Sequence, residues 1–421
     1  MDPIFFHHDP QISGDAEQRQ ALRIAVQPNM SVKDWPTEAG STALAGFNAL
    51  EDATIVTRLR QAGYGICGST RMSEFGLGTV GSQAGVAVAQ DAVDVELVLD
   101  LMGESRLAAS RSKLCCLKPS YGLVSRLGLI GLIPSMECCG LLAKSLDPIR
   151  AVLQATAGPD DLDFSLPAED TPDLSPSALE PAETTIGFIR EMQAALPEAE
   201  TEAFRASLGA LERRGFSLAE CSLPDLDLFS LVHRIVGSVE ASSAAGRYDS
   251  VRYGPRAPGA KNWNEMYLLS RGAAFGTLVK SYLIQGAFFQ FERYDAFEDA
   301  CRIRARLVQQ MQNVTAEVGF LAFPAPVAPS AAVDGAGSTV AGSEGADERP
   351  DDHSRTRSLT DLYAEAATTL FANVTGQPVL YLPPTTDTGE TGLQLTGPRR
   401  SDGRLLDLGE LILRTSQGGG R

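Results

Sequence analysis

The chain has 421 residues, 43% hydrophobic and 21% charged, with 53 acidic against 36 basic side chains and a formal net charge of -17. A chain of this length buries about three quarters of its unfolded surface, so its core needs neither disulfide nor metal. The excess of acid repels phosphate backbones and argues against direct nucleic-acid binding. No apolar run approaches the roughly 20 residues that span a bilayer, and the amino-terminal residues lack a basic region followed by an apolar stretch, so the expected location is cytoplasmic, with no membrane contact.

The seven cysteines include two adjacent pairs, Cys115-Cys116 and Cys138-Cys139, set among Leu and Gly without zinc or thioredoxin spacing; they read as buried free thiols. His7, His8, His233 and His353 are scattered between the ends and loops, with His353 in a solvated loop. They suggest neither a metal site nor a catalytic histidine, and no cofactor is expected.

In chain order, a short mixed segment at 22–26 leads to 30–35, a strand end running into a turn at Pro36. Residues 53–63 place Ile55, Val56, Leu59 and Ala62 at helical spacing, closed by Gly63. A buried strand follows at 64–69. Helix then strand at this spacing predicts an α/β layered fold. The stretch 69–126 begins with small residues and serines, continues as a mixed apolar and acidic run at 86–101, and passes through Gly103-Glu104-Ser105-Arg106 to Leu117-Lys118-Pro119-Ser120-Tyr121-Gly122. Its composition suggests a backbone-lined site between a strand and a helix.

A helix ending at 148–157 gives way to an acidic, Pro-rich linker at 158–183. A strand at 185–189, a helix at 198–214 and a strand at 216–223 form a second unit. Long helices are predicted at 228–245 and across 267–313, with Phe288, Phe289 and Phe291 assigned to the core. Residues 320–327 read as a buried strand, and 334–357, poor in apolar groups, as a flexible loop. A helix at 359–375, strands at 378–382 and 392–396 and a closing helix at 403–414 complete one domain spanning 1–421, without internal repeats.

Lys33-Asp34, Met72-Ser73-Glu74-Phe75, the run from Leu117 through Gly122 to Arg126, and Thr391-Gly392-Leu393-Gln394 together resemble the amidase signature family. Glu240-Ala241-Ser242-Ser243 and Arg247-Tyr248-Asp249 narrow the resemblance to the A-type chains of the tRNA-dependent amidotransferases. That resemblance implies a large mixed β-sheet flanked by helices on both faces and a Ser-cisSer-Lys triad. It also implies glutamine amide hydrolysis supplying ammonia, and amidotransferase B-type and C-type subunits as partners. In such a mechanism a neutral lysine draws a proton through a bridging serine, and backbone N–H groups of a Gly-rich loop hold the oxyanion.

The resemblance assigns Lys33 to the family lysine. The bridging serine falls on Gln83 by ungapped counting and on Ser82 after a one-residue shift; the nucleophile falls on Glu104 or, likewise shifted, on Ser105. The Gly-Ser loop of the family is missing here. A carboxylate at Glu104 would repel a developing negative charge, and Leu101-Met102 replaces residues whose backbone the family leaves free. The substrate-gripping charges fall on Ser281 or Tyr282 and on Ala366, where no charge remains. The expectation is a catalytically impaired or non-catalytic paralogue; the alternative is an active amidase using Lys33, Ser82 and Ser105 on a small amide.

Overall fold

The computed structural model describes residues 2–9, 21–167, 169–326, 358–384 and 391–417. Eleven strands form one sheet: β1 Phe5–His8, β2 Arg23–Val26, β3 Gly65–Thr70, β4 Val95–Asp100, β5 Cys115–Lys118, β6 Cys138–Ala143, β7 Thr185–Ile189, β8 Ser217–Cys221, β9 Phe320–Pro324, β10 Val379–Leu382 and β11 Leu393–Thr396. Their spatial order is β1-β3-β2-β4-β6-β5-β10-β11-β9-β7-β8. β2 pairs in parallel with β3 and β4, and β7 with β8 and β9, while the other neighbours are antiparallel. The sheet is mixed, as expected.

Its two faces are legible along β9. Phe320 and Ala322 join one core, and Leu321 and Phe323 the other, the period-two alternation of a strand buried on both sides. The first core is covered by α1 Thr54–Gln61, α4 Leu146–Thr156, α6 Glu198–Arg213 and α13 Asp402–Gln417. The second lies under α5 Arg190–Ala194, α7 Leu228–Ala244, α9 Thr277–Phe291, α10 Tyr294–Val318, α11 Leu359–Glu365 and α12 Leu370–Thr375. α2 Val86–Ala89 and α3 Glu104–Ser112 pack beside it, with Ala87, Val88, Ala108 and Ala109 in a third cluster against Ala25, Val98 and Leu142. Stacking of Phe323 on Phe371, with centroids 3.9 Å apart and planes 10° apart, fixes α12 to the sheet.

Several departures from the sequence reading have local causes. The run 86–101 divides into α2 and β4, separated by Asp91 at a φ of 60°, a left-handed turn that Asp tolerates. The segment 359–375 breaks into α11 and α12: the Thr369 hydroxyl donates to the backbone carbonyls of Met102 and Ala366, competing with helical continuation. The region 267–313 holds α8 Trp263–Ala274, α9 and most of α10; the first break is at Gly276, whose N–H donates to Glu74.

Other corrections concern exposure. His7 and His8 lie in β1, paired with β3. His233 is fully buried on α7. Phe288 and Phe291 are 49% and 75% exposed on α9, because its buried side already carries Val279, Tyr282, Leu283 and Gly286. The acidic linker is anchored: Asp160 accepts from the Thr54 and Ser125 hydroxyls, and Asp163 from the Arg126 N–H. The expected loop at 334–357, with His353, lies outside the described residues.

Candidate active site

β2 and β4 are parallel neighbours and end at the same side of the sheet, so the residues just after each come together. After β4 the chain turns through Leu101, Met102 and Gly103 into α3. Gly103 has a φ of 127°, and a β-carbon there would lie 2.2 Å from the Thr369 hydroxyl oxygen. Only glycine fits this turn.

The first residue of α3, Glu104, folds back over the turn. One carboxylate oxygen, Oε2, accepts the backbone N–H groups of Leu101 and Met102, both at 2.8 Å, and Oε1 accepts that of Gly78 at 3.0 Å. The side chain is buried. Burial first, then the charge of Asp100, push its pKa up to about 7, while the N–H donors pull the other way. Three converging N–H groups, an arrangement suited to an oxyanion, are thus occupied by an acid of the chain itself.

Beneath lies a buried ion pair. Arg106 Nη2 is 3.0 Å from Asp100 Oδ1 with both side chains fully buried. The same guanidinium donates to the Thr369 carbonyl and the Asn373 side-chain oxygen, and Asn373 Nδ2 returns to Asp100 Oδ1 at 2.9 Å. Burial is the largest influence and would raise the Asp100 carboxyl, but Arg106, the charge of Lys118 and the Ser105 hydroxyl together outweigh it and hold the pKa at about 2.

The structure does not assemble Lys33, Ser82 and Ser105. Lys33 is exposed in the loop after β2, its backbone N–H donating to Asp52; no hydrogen bond joins its ammonium to either serine. Ser82 is half-buried in a turn, where its hydroxyl accepts from the Ala84 N–H. Ser105 is fully buried beneath the loop, donates to Asp100 and accepts the Cys116 thiol at 3.4 Å. Its proton is committed and its oxygen faces the core. Among the described residues every peptide bond is trans, including those around Ser82.

Sequence reasoning missed three features. The residue that reaches β4 from the end of β2 is Gln27, whose Oε1 accepts the Leu99 N–H at 2.9 Å; Lys33 lies six residues further on. Its signal was position, immediately after the apolar strand Ile24-Ala25-Val26. His233 was missed because no spacing links it to the turn, yet its ring nitrogens lie 2.9 Å from the Leu101 carbonyl and from the Tyr363 hydroxyl. Burial lowers its pKa to about 4, so it is neutral and donates to Leu101. Tyr363 in turn lies 3.3 Å from the hydroxyl of Tyr282, which is fully buried, as is Ala366 nearby; Ser281 points outward and bonds its own helix.

The paired thiols are buried, and burial pushes Cys115 up to about 12 and Cys138 up to about 11, so neither is a ready nucleophile.

The mixed sheet, and the strand-turn-helix with its converging N–H groups, define an amidase framework. The Amidase family model matches residues 21–99 and 82–406, and the chain belongs to that family. It is 30% identical to the A-type chain of the Glutamyl-tRNA(Gln) amidotransferase of Natronomonas pharaonis over 428 aligned positions, covering 93% of this chain and 95% of the relative. The corresponding A-type chain from Haloarcula marismortui is also 30% identical, covering 92% and 94%. Among solved structures, that of the A-type chain of the Thermotoga maritima Glutamyl-tRNA(Gln) amidotransferase superposes with a TM-score of 0.70 at 19% identity, covering 98% of this chain and 87% of that one, a likeness of fold. No helix among the described residues is long and apolar enough to cross a membrane.

Proposed function

We propose that this protein is a non-catalytic or strongly impaired paralogue of the A-type amidotransferase chain, acting through association with B-type or C-type subunits in the cytoplasm. One observation carries the reading: the Glu104 carboxylate occupies the N–H groups that a substrate oxyanion would need. An amide carbonyl entering this turn would meet a resident acid and compete with it for the same donors. Loss of a single oxyanion donor lowers the rate by about 10²–10³. At the strand end where a proton acceptor would be required stands Gln27, whose amide is not a base.

The test is ammonia release from glutamine, asparagine and simple aliphatic amides by the wild type, Lys33→Ala and Ser105→Ala proteins. Release at the no-enzyme background for all three supports the proposal. Turnover by the wild type that both substitutions abolish would establish the alternative, an active amidase using Lys33, Ser82 and Ser105. Association is read separately, by co-purification with co-expressed B-type and C-type subunits. A chain that elutes alone in their presence overturns that part.

A further inference from the structure

A cavity of about 680 Å³ opens at the carboxyl-terminal end of α7, between that helix, the loops at 121–135 and 164–165, and the junction of α9 with α10. Its volume is in the range of small-molecule sites. Glu240, on its wall, lies seven residues beyond His233 on α7, about 10 Å at the helical rise. The cavity is therefore on the same side of the sheet as the Glu104 turn but separate from it.

Its acid is satisfied, while Arg126 and Arg247 on its wall keep N–H groups without partners. Glu240 accepts both the N–H and the hydroxyl of Ser135, which also receives the Arg304 guanidinium. Arg126 pairs with Glu137 through Nη2, but its Nε is buried without any partner. Arg247, on the same cavity wall, donates through Nε to the Ala244 carbonyl, and its terminal nitrogens have no partner among the described residues. Two guanidinium groups (Arg126 and Arg247) and one carboxylate (Glu240) line the cavity, a surplus of one positive charge on its wall. Four aromatic side chains also line it: Tyr121, Tyr294, Phe297 and Phe164, the last 97% exposed. An exposed phenylalanine beside unpartnered arginines suits a ligand with both a ring and an acid.

We propose that this cavity binds a small aromatic monocarboxylate, its carboxylate received by the Arg126 and Arg247 guanidinium groups and its ring lying among Phe164, Tyr294 and Phe297. A monoanion matches the single surplus charge of the wall, whereas a dianion would face Glu240 with a charge left over. The inference does not depend on the state of the Glu104 turn.

The experiment is isothermal titration of the full chain with phenylacetate, its neutral amide phenylacetamide, and inorganic phosphate. Phenylacetate is expected to bind saturably, and phenylacetamide about tenfold or more weaker, because charge-assisted hydrogen bonds are lost. Arg247→Gln, an exposed change, should weaken phenylacetate by a similar factor without altering the unfolding midpoint. Phe297→Ala should weaken acid and amide in parallel. The proposal is overturned by no saturable phenylacetate binding up to about 5 mM, by equal affinity for acid and amide, by phosphate binding more tightly than phenylacetate, or by full affinity in Arg247→Gln.

Discussion

Replacing Glu104 by alanine removes the one acceptor shared by the N–H groups of Leu101, Met102 and Gly78. A buried donor left unmade costs about 1–3 kcal/mol, so three cost roughly 6 kcal/mol at mid-range. Against this stands relief from confining the carboxyl, whose pKa is pushed from 4.5 up to about 7. A shift of that size corresponds to about 3 kcal/mol. The expected net loss is about 3 kcal/mol, read from the midpoint of chemical denaturation. The decisive arm is rescue by formate, a free carboxylate small enough for the vacated position. At ten times its dissociation constant it should restore about 1.4 kcal/mol to Glu104→Ala and nothing to the wild type, where the acceptor is covalently present. A variant as stable as wild type, or an equal formate effect on both proteins, would refute an anion-filled cradle.

Lys33→Ala should change stability by less than about 0.5 kcal/mol, since the ammonium is exposed; Ser105→Ala should cost about 1–3 kcal/mol by removing the buried bond to Asp100. Denaturation midpoints of the two variants check the contrast. Arg106→Met strands Asp100 in a site with no water access and should cost about 3–5 kcal/mol, visible as loss of folded yield or midpoint. His233, held neutral with its pKa lowered to about 4, contributes stability that is fully present above its ordinary value of 6.5 and lost as pH falls through 4. The stability difference between wild type and His233→Phe should therefore shrink by up to about 3 kcal/mol from pH 7 to pH 4; a pH-independent difference would contradict a buried neutral ring.

The fold was readable because its elements carry their own punctuation. α1 is an apolar stripe closed by Gly63, and β7, α6 and β8 alternate at the spacing of a parallel unit, so local pattern and final position agree. Where side-chain bonding across the sheet decides, the sequence was silent. The break at Thr369 follows from a hydroxyl bonded to Met102, 267 residues away in the chain. His233 acquires its meaning only when α7 lies over the turn after β4. A Lys-Asp pair looks the same in sequence whether it follows a strand directly or, as Lys33-Asp34 does, after six residues of loop. The structure separates those cases by exposure. The Glu104-or-Ser105 alternative was likewise a matter of direction: consecutive residues at a helix start point to different sides, and here the acid faces the turn and the hydroxyl faces the core.

That division between sides explains which parts of the framework can change independently. Asp100, Arg106, Asn373 and Thr369 form one buried network, and removing any member strands the others. The groups on the other side, Gln27 and Glu104, each satisfy backbone N–H groups of β4 and its following turn: Leu99, Leu101 and Met102. Those donors require acceptors whether or not chemistry occurs, and here an acid and an amide supply them without unfolding the turn. Glu104→Ser alone should consequently release no ammonia from glutamine above the wild-type level. The introduced hydroxyl would have donors around it but no free base, because Gln27 holds its amide oxygen on Leu99, both ring nitrogens of His233 are engaged by Leu101 and Tyr363, and Lys33 stays in solvent. Measurable turnover by that single variant would mean that a proton acceptor already stands at the turn, and would overturn the assignment of Gln27 to the position a base would need.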